Sequence, residues 1–309
     1  MNCRLATIPE LRDVSMGRCL ACGATRSRLL HRIGTFWIVQ CRHCLLAWSR
    51  GAHLDPASFY DRDYFVGTDR PKGYDDYLSM AAAMSRTNSA RIRRLRRLTP
   101  QARTLLDVGC GPGFFVQHAG ESGLHARGLE VSRFAADYGR ERLGLEIVNG
   151  PLDKAHLDRL DGTFDLITLW DVIEHLPVPD AALRLLADRL APGGVLALST
   201  GDIGSLAARL TGPRWHLFNL PEHLWFFTIP ALRRLLARVG LTTLCVQREV
   251  CWYTARYLLE RLLFSFRRRP TPIPAAALLD RFNLPCTLLD VVTIHARKPI
   301  AEAPAVDSR

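Results

Sequence analysis

The sequence predicts an α/β fold, a doubly wound parallel sheet, with a small cysteine-rich module in front of it. Three observations predict this. From Thr104 onward, short apolar runs alternate with helix-length segments. A glycine-rich loop follows the first of those runs directly. Two C-x-x-C pairs fall within the first fifty residues, outside the alternating region.

The totals bound the classes. A chain of 309 residues with 48% hydrophobic and 23% charged residues is long enough to bury one large core and carry a smaller module. No apolar run reaches the roughly 18–20 residues that span a bilayer. The opening MNCRLATIPELRD lacks the apolar core of a signal peptide, so a cytoplasmic location is expected. The net charge of +11 would ordinarily raise nucleic acid as a partner. Only three of the 41 basic residues are lysines, however, a bias more like genome composition than a selected phosphate-binding surface. The charge is therefore discounted as a sign of nucleic acid, and a small anionic acceptor such as a nucleotide sugar would also suit it.

The first module, residues 15–50, is built around Cys19-Leu20-Ala21-Cys22 and Cys41-Arg42-His43-Cys44. Two such knuckles, with the strand-like TFWIVQ between them, fit a ribbon hairpin holding four thiolates around a tetrahedral zinc. No ligand position is left open, so the metal is expected to be structural. His31 and His43 are read as bystanders. Residues 51–100 form a helical linker or cap: turn signals surround Pro56 and Pro71-Lys72-Gly73, and a helical run from Tyr74 ends in ARIRRLRRL. There Ile92, Leu95 and Leu98 make one apolar stripe, and Pro100 stops the run.

Thr104–Val108 is the first strand of the sheet, followed by glycines and a helix through His118. Ala126–Glu130 is the second strand; Ser132 caps the next helix and Gly144 ends it. Leu145–Asn149 is the third strand. Phe164–Trp170 is the fourth, apolar enough to be buried on both faces. A helix over Asp180–Leu190, a turn at APGG and a strand at Val195–Thr200 follow. Pro230 opens a helix that Gly240 closes, Thr242–Val250 is a strand, and Asp290–Ala296 is the last one. The tail, 299–309, is expected to be disordered. Thr254–Phe266 forms an amphipathic helix whose wide apolar side would cover the site, form a homodimer contact, or, with Arg267–Arg269, rest on a membrane over 254–269.

In such a sheet, ligands sit beyond the carboxyl ends of the strands, where strand order reverses. The first strand ends in Asp107-Val108-Gly109-Cys110-Gly111-Pro112-Gly113. Glycines let backbone turn sharply or approach a ligand without a Cβ in the way. The spacing is G-x-G-x-G behind an acidic residue, not the G-x-G-x-x-G that seats a pyrophosphate on a helix N-terminus. It suits a cationic cofactor without phosphate, such as S-adenosylmethionine (SAM). Glu130, ending the second strand, can accept hydrogen bonds from both ribose hydroxyls.

LLDVGCGPGFF (Leu105–Phe115), GLEVS (Gly128–Ser132), FDLITLWDVIEHL (Phe164–Leu176) and LAPGGVLALST (Leu190–Thr200) resemble successive motifs of class I SAM-dependent methyltransferases. The resemblance covers about residues 100–298. It implies a Rossmann-like, seven-stranded sheet with the last strand antiparallel, forming a SAM-binding domain over 101–298. It further implies that Asp107, Gly109, Gly111 and Gly113 surround the methionine part of SAM and that Glu130 holds the ribose. Where the family often has an acidic residue after strand three, this chain reads Asn149-Gly150-Pro151-Leu152, leaving the adenine to backbone and Leu152. Trp170 and Asp171, at the end of strand four, are expected beside the methyl group.

The acceptor side rests on two stretches. Strand four runs into Trp170-Asp171-Val172-Ile173-Glu174-His175, unlike the N-P-P-Y or D-P-P-Y of enzymes that methylate exocyclic adenine nitrogens. After strand five comes WHLFNLPEHLWFFT (Trp215–Thr228), with Glu222 and His223 in an aromatic setting. The zinc ribbon, FYDRDYF (Phe59–Phe65), the SAM-binding core and E-H-L-x-x-F together resemble a bacterial group serving sugar, polysaccharide or natural-product pathways, deoxysugar C-methyltransferases among them. In the latter, histidines matching His175 and His223 and the matching Glu222 line the acceptor site; a tyrosine stands where this chain has Leu220. The expectation is a small-molecule methyltransferase acting on a sugar or related intermediate, with His223 as general base, Glu222 orienting it and His175 beside them. The alternatives are an rRNA or tRNA base methyltransferase, since some pair an N-terminal zinc module with this fold, and a SAM-binding scaffold without catalysis.

Overall fold

The computed structural model describes residues 18–51, 59–66, 78, 81–267, 276–279 and 281–300. The expectations for the turns at Pro56 and Pro71–Gly73, the helix start at Tyr74, Arg268–Arg269 and residues 301–309 lie outside these residues.

The described part opens with three strands, β1 (Ser27–Ile33), β2 (Phe36–Cys41) and β3 (Ala47–Arg50). Helices α1 (Arg62–Val66) and α2 (Ala81–Leu98) lead into the alternating part: β4 (Thr104–Val108), α3 (Phe114–Glu121), β5 (His125–Glu130), α4 (Arg133–Leu143) and β6 (Ile147–Asn149). Next come α5 (Lys154–Leu157), β7 (Phe164–Trp170), α6 (Pro179–Arg189), β8 (Leu190–Gly201), α7 (Leu206–Thr211), β9 (Trp225–Phe226), α8 (Ile229–Arg238) and β10 (Thr242–Arg248). The described part closes with β11 (Cys251–Thr254), α9 (Ala255–Arg267), α10 (Ala276–Leu279), β12 (Asn283–Cys286) and β13 (Val291–Arg297).

Seven strands form the main sheet in the order β10-β13-β8-β7-β4-β5-β6. β4, β5, β6, β7 and β8 pair in parallel, while β13, the last strand among the described residues, runs antiparallel to both β8 and β10. This is the predicted doubly wound sheet with its last strand reversed. The chain moves outward from β4 to β6, then returns to β7 on the other side, so strand order reverses between β4 and β7. Their carboxyl ends open the crevice where a ligand can sit. Both strands are apolar on both faces, with Leu105, Leu106, Leu166, Ile167 and Leu169 fully buried, as sheets covered by helices on each side require.

Local chemistry fixes the helix ends. The Ser132 hydroxyl accepts from the Ala135 amide at the start of α4, and Gly144 takes a left-handed φ of 66° at its end. Two boundaries depart from expectation for visible reasons. β6 starts at Ile147: the Leu145 amide still donates to the Gly139 carbonyl of the preceding helix, and its side chain lies where a Cβ on Gly113 would meet its Cδ1 at 2.5 Å. The APGG segment is not a turn before β8 but a loop-out inside it: Phe164 pairs with Leu190 while Leu166 pairs with Val195.

The strand expected over Thr242–Val250 is two residues shorter. It ends at Arg248, whose guanidinium is paired with Asp202 at 2.6 Å, and a separate two-stranded sheet of β11 and β12 follows. Helix α9 lies where the amphipathic pattern predicted it. Among the described residues, no helix is long and apolar enough to cross a membrane.

The ribbon forms a second sheet, ordered β1-β2-β3-β9. Its fourth strand is Trp225–Phe226, taken from the stretch after β8, so the ribbon is not a free-standing unit. Cys19, Cys41, Cys44 and Leu46 share one core cluster with Leu232, Leu235 and Leu236 of α8.

Candidate active site and cysteine cluster

The glycine loop is shaped by β4 and fastened to β5. The amides of Gly109 and Cys110 both donate to the Leu129 carbonyl, at 2.7 and 3.3 Å. Gly109, Gly111 and Gly113 all adopt left-handed φ values (67°, 55° and 90°). A Cβ on Gly109 would sit 2.6 Å from Val172 Cγ2, so this glycine is required both for its turn and for the close passage of β4 past the end of β7.

Glu130 ends β5 with its carboxylate turned back onto this loop. Its two oxygens accept from the amides of Gly111 and Ser132, each at 2.7 Å. Each oxygen keeps a further lone pair, which suits two ribose hydroxyls. Burial raises its pKa, while the Ser132 and Gly111 amides act against that shift. Asp107 is 2% exposed and accepts from the Thr168 hydroxyl at 2.6 Å. Burial pushes its carboxyl up to about 7, with the Thr168 bond and the positive Arg91 opposing. A buried carboxylate at the crevice mouth suits a cationic ligand, which would hold it ionised. These features fit SAM.

After β6, where the adenine is expected, Asn149 donates to the Glu130 and Val131 carbonyls, and Leu152 is half-buried against the core. A Cβ on Gly150 would collide with the His156 ring, which Asp153 holds at 2.8 Å.

At the end of β7 the two residues expected beside the methyl group part company. Asp171 is exposed at the crevice in a left-handed conformation (φ 57°). Ser199 holds it there: its oxygens accept the Asp171 amide, and its hydroxyl donates to Asp171 Oδ1 at 2.9 Å. Trp170 faces inward. Its ring meets Phe115 edge-on at 5.2 Å, and the Arg91 guanidinium lies 4.0 Å over it. Arg91 is itself buried in an ion pair with Glu249 at 2.9 Å, so Trp170 is part of a wall.

The acceptor-side residues do meet. A short 3-10 turn, Ile173–His175, continues from β7 and brings His175 to His223, ring centres 4.6 Å apart and nearly perpendicular. Ligand-type atoms of Glu174, His175 and His223 all lie within 4.8 Å of one another. His175 Nδ1 is 3.0 Å from the Tyr60 hydroxyl and 3.1 Å from the Glu222 carbonyl. A carbonyl only accepts, so Nδ1 carries the proton and Nε2 is the basic nitrogen. Burial lowers the His175 pKa to about 4, and burial with the nearby Asp171 charge raises that of Glu174 to about 8.

Tyr60 is the residue that reading the sequence did not single out. It lies in the FYDRDYF segment, but nothing in that segment says which tyrosine turns inward. Burial raises its pKa well above the ordinary value, followed by the negative charges of Glu222, Glu174 and Glu130. Tyr60 meets His175, by hydrogen bond and edge-on ring contact, and the rings of Phe59 and Tyr64. Leu220 is buried among Trp215 and Phe226.

In the ribbon, Cys19 Sγ is 3.4 Å from Cys44 Sγ and Cys22 Sγ is 3.6 Å from Cys41 Sγ. All four sulfurs lie within 4.8 Å of one another. Tetrahedral zinc with bonds of about 2.3 Å needs sulfurs about 3.8 Å apart, so the four residues fit the ion. His43 is exposed, and His31 packs edge-on against Phe218 at 5.7 Å.

Comparison with known proteins places this geometry. The family model described as "Methyltransferase domain" matches residues 80–246. The mitochondrial ubiquinone biosynthesis O-methyltransferase of Schizosaccharomyces pombe is 31% identical over 124 residues, 38% of this chain and 43% of that protein. The ubiquinone biosynthesis O-methyltransferase of Shewanella pealeana is also 31% identical over 124 residues, covering 52% of its length. The chain therefore spans about half the length of the curated relatives it matches. Among solved structures, a SAM-dependent methyltransferase from Archaeoglobus fulgidus has a TM-score of 0.48 and 18% identity, covering 72% of this chain and 99% of that one.

Proposed function

This chain belongs to the methyltransferase-domain family, and from that premise we propose that it transfers the methyl group of SAM to a hydroxyl of a small molecule, a sugar or related biosynthetic intermediate. The observation that carries this reading is the junction at Tyr60, which hydrogen-bonds His175 while standing in the field of Glu222, Glu174 and Glu130. On this reading an acceptor held by His175 and His223 would sit beside Tyr60.

SAM supplies an already activated methyl group on a positive sulfonium. The work left to the chain is alignment, which can be worth roughly 7–11 kcal/mol, and removal of the hydroxyl proton. Asp107 and the glycine loop would hold the methionine part, with Glu130 on the ribose. His223 would take the acceptor proton, with Glu222 orienting it. His175 is neutral at pH 7, its ring edge-on to that of His223. Cys19, Cys22, Cys41 and Cys44 would hold a structural zinc, fixing the ribbon whose sheet ends on Trp225–Phe226.

A second reading, methylation of a quinone-pathway intermediate, is favoured by the names of the two relatives. Both readings predict O-methylation, and one experiment separates them from the rest. The purified protein is incubated with methyl-tritiated SAM and, in parallel, nucleotide sugars, hydroxylated quinone precursors and total RNA. Label on a sugar supports the first reading, and label on a quinone precursor the second. Label on RNA alone would overturn both.

A further inference from the structure

The small sheet of β11 and β12 places Cys251 directly opposite Cys286. The hydrogen bonds give the kind of pair they form. The Ala255 amide donates to the Phe282 carbonyl at 2.8 Å, four positions along the same register. Between them, the Trp252 amide donates instead to Thr87 Oγ1, and its partner Pro285 has no amide. The bonded positions are therefore Cys251–Cys286, Tyr253–Leu284 and Ala255–Phe282. Opposite residues of this kind stand about 5.5 Å apart at Cα, inside the roughly 4.4–6.8 Å window that a disulfide spans, and both side chains leave the same face. Both cysteines are half-buried free thiols, close enough to the surface for a small oxidant to reach.

What lies between them gives the pair its consequence. The chain leaves at Thr254, runs through α9 and α10, and returns at Asn283. Cys251 and Cys286 form the neck of this excursion. Two residues before Cys251, Glu249 holds Arg91, which covers Trp170 at the end of β7. Just beyond Cys286, Asp290 accepts from Trp215 Nε1 at 2.8 Å and contacts His216 Nε2 at 2.7 Å. A bond across the neck would tie the segment that carries Glu249 to the segment that leads to Asp290.

We propose that Cys251 and Cys286 form a reversible cross-strand disulfide that closes the neck of the 254–283 excursion. The oxidant is a small disulfide of the glutathione class. One cysteine thiolate attacks it, a sulfur–sulfur bond breaks and one glutathione thiolate leaves. The second cysteine thiolate then attacks the mixed disulfide at the protein sulfur and expels the other glutathione. Two protein thiols are oxidised, one glutathione disulfide is reduced to two thiols, and the two protons pass to them. Burial and the negative Glu249 and Asp171 hold the Cys251 thiol up at about 11, with Arg91 opposing, so formation at neutral pH is slow.

The test equilibrates the full zinc-loaded chain in glutathione buffers of increasing oxidised fraction, then alkylates, digests and maps linkages by mass spectrometry. The expected result is a linked peptide containing Cys251 and Cys286, reversed by dithiothreitol. A Tm about 5 °C above that of the reduced protein should accompany it, since the bond closes a long loop. Cys251→Ser and Cys286→Ser, which keep the reduced fold, should each lose both the linkage and the shift. Glutathione adducts or singly alkylated cysteines under the most oxidising buffer would overturn the proposal, as would linkage to any other cysteine. Linkage with an unchanged Tm would overturn the closing of the neck.

Discussion

Ser49 of the ribbon donates its hydroxyl to the backbone carbonyl of His223 at 3.3 Å, and its amide to the carbonyl of Leu224 at 2.9 Å. On the other side, the Leu224 amide donates to the Glu174 carbonyl at 2.9 Å. The Glu222-His223 loop is thus pinned between a strand of the cysteine module and the turn after β7. Thr228 adds a second tie: its hydroxyl caps α8 and donates to the Cys44 carbonyl at 3.0 Å.

The ribbon should therefore matter to the acceptor site more than to the cofactor site. Cys22→Ser, at the most exposed of the four sulfurs, is expected to lose zinc by elemental analysis and to lower turnover by up to about 100-fold through misplacement of His223. SAM affinity by calorimetry should change little, because the glycine loop hangs from β4 and β5. Ser49→Ala should show the same split more mildly. Equal losses in SAM affinity and turnover would show that the ribbon supports the fold in general.

Glu130 would join the two halves of the proposed SAM site, since its carboxylate holds the loop through Gly111 and would meet the ribose there. Glu130→Gln keeps the shape but gives one oxygen for two amides that now compete with any ligand hydroxyl. A hydrogen bond to a charged group contributes about 1.5–3 kcal/mol, so SAM should bind about 10–100-fold more weakly. Calorimetric titration measures this, and an unchanged Kd would remove Glu130 from the site.

Gly109 tests the crevice by shape. Gly109→Ala must accept both a φ of 67° and a Cβ 2.6 Å from Val172 Cγ2. The left-handed conformation costs roughly 1–2 kcal/mol and the overlap adds about as much again, so urea unfolding should show a loss of about 2–4 kcal/mol. Val172→Ala in the same chain should recover the steric part only. No recovery would mean that the clash is relieved elsewhere.

His223 is the sharpest test of the acceptor chemistry. A positioned base contributes about 100–10,000-fold, so His223→Ala should lose that much turnover while SAM affinity stays within about twofold. His175→Ala should also lower turnover, by releasing Tyr60. Full turnover in His223→Ala would assign the proton to another group.

What the sequence made legible was what depends on short-range pattern. The strands from Thr104, the cap at Ser132, the stop at Gly144 and the loop at Asp107–Gly113 each follow from neighbours in the chain. What it hid depends on residues far apart. Trp225–Phe226 is too short to read as a strand, and only the edge of β3 makes it one. Tyr60 reaches His175 across 115 residues, and Arg91 reaches Glu249 across 158. Trp170 ends an apolar strand in the expected place, but the Arg91 guanidinium over its ring, which no spacing announces, decides that it is wall.

Glu174 yields a prediction about stability whose sign follows from its burial. Its folded pKa of about 8 lies above its ordinary value of 4.5. Between those values the folded state holds a proton that the unfolded state has lost, so the group's contribution to stability falls as pH rises from about 4.5 to 8. Glu174→Gln removes that penalty while keeping the shape. At pH 5 the variant and the parent should melt within about a degree of each other, since the buried carboxyl is protonated in one and replaced by a neutral amide in the other. At pH 8 the variant should melt several degrees higher. His175 and His295, both lowered to about 4 by burial, have the opposite sign: their contribution is lost as pH falls from about 6.5 to 4. They are present in both proteins, so they cancel in the difference. Thermal melts of the pair at pH 5, 6, 7 and 8 measure it, and a difference that stays flat or shrinks with pH would mean that Glu174 ionises normally beside His175 and His223.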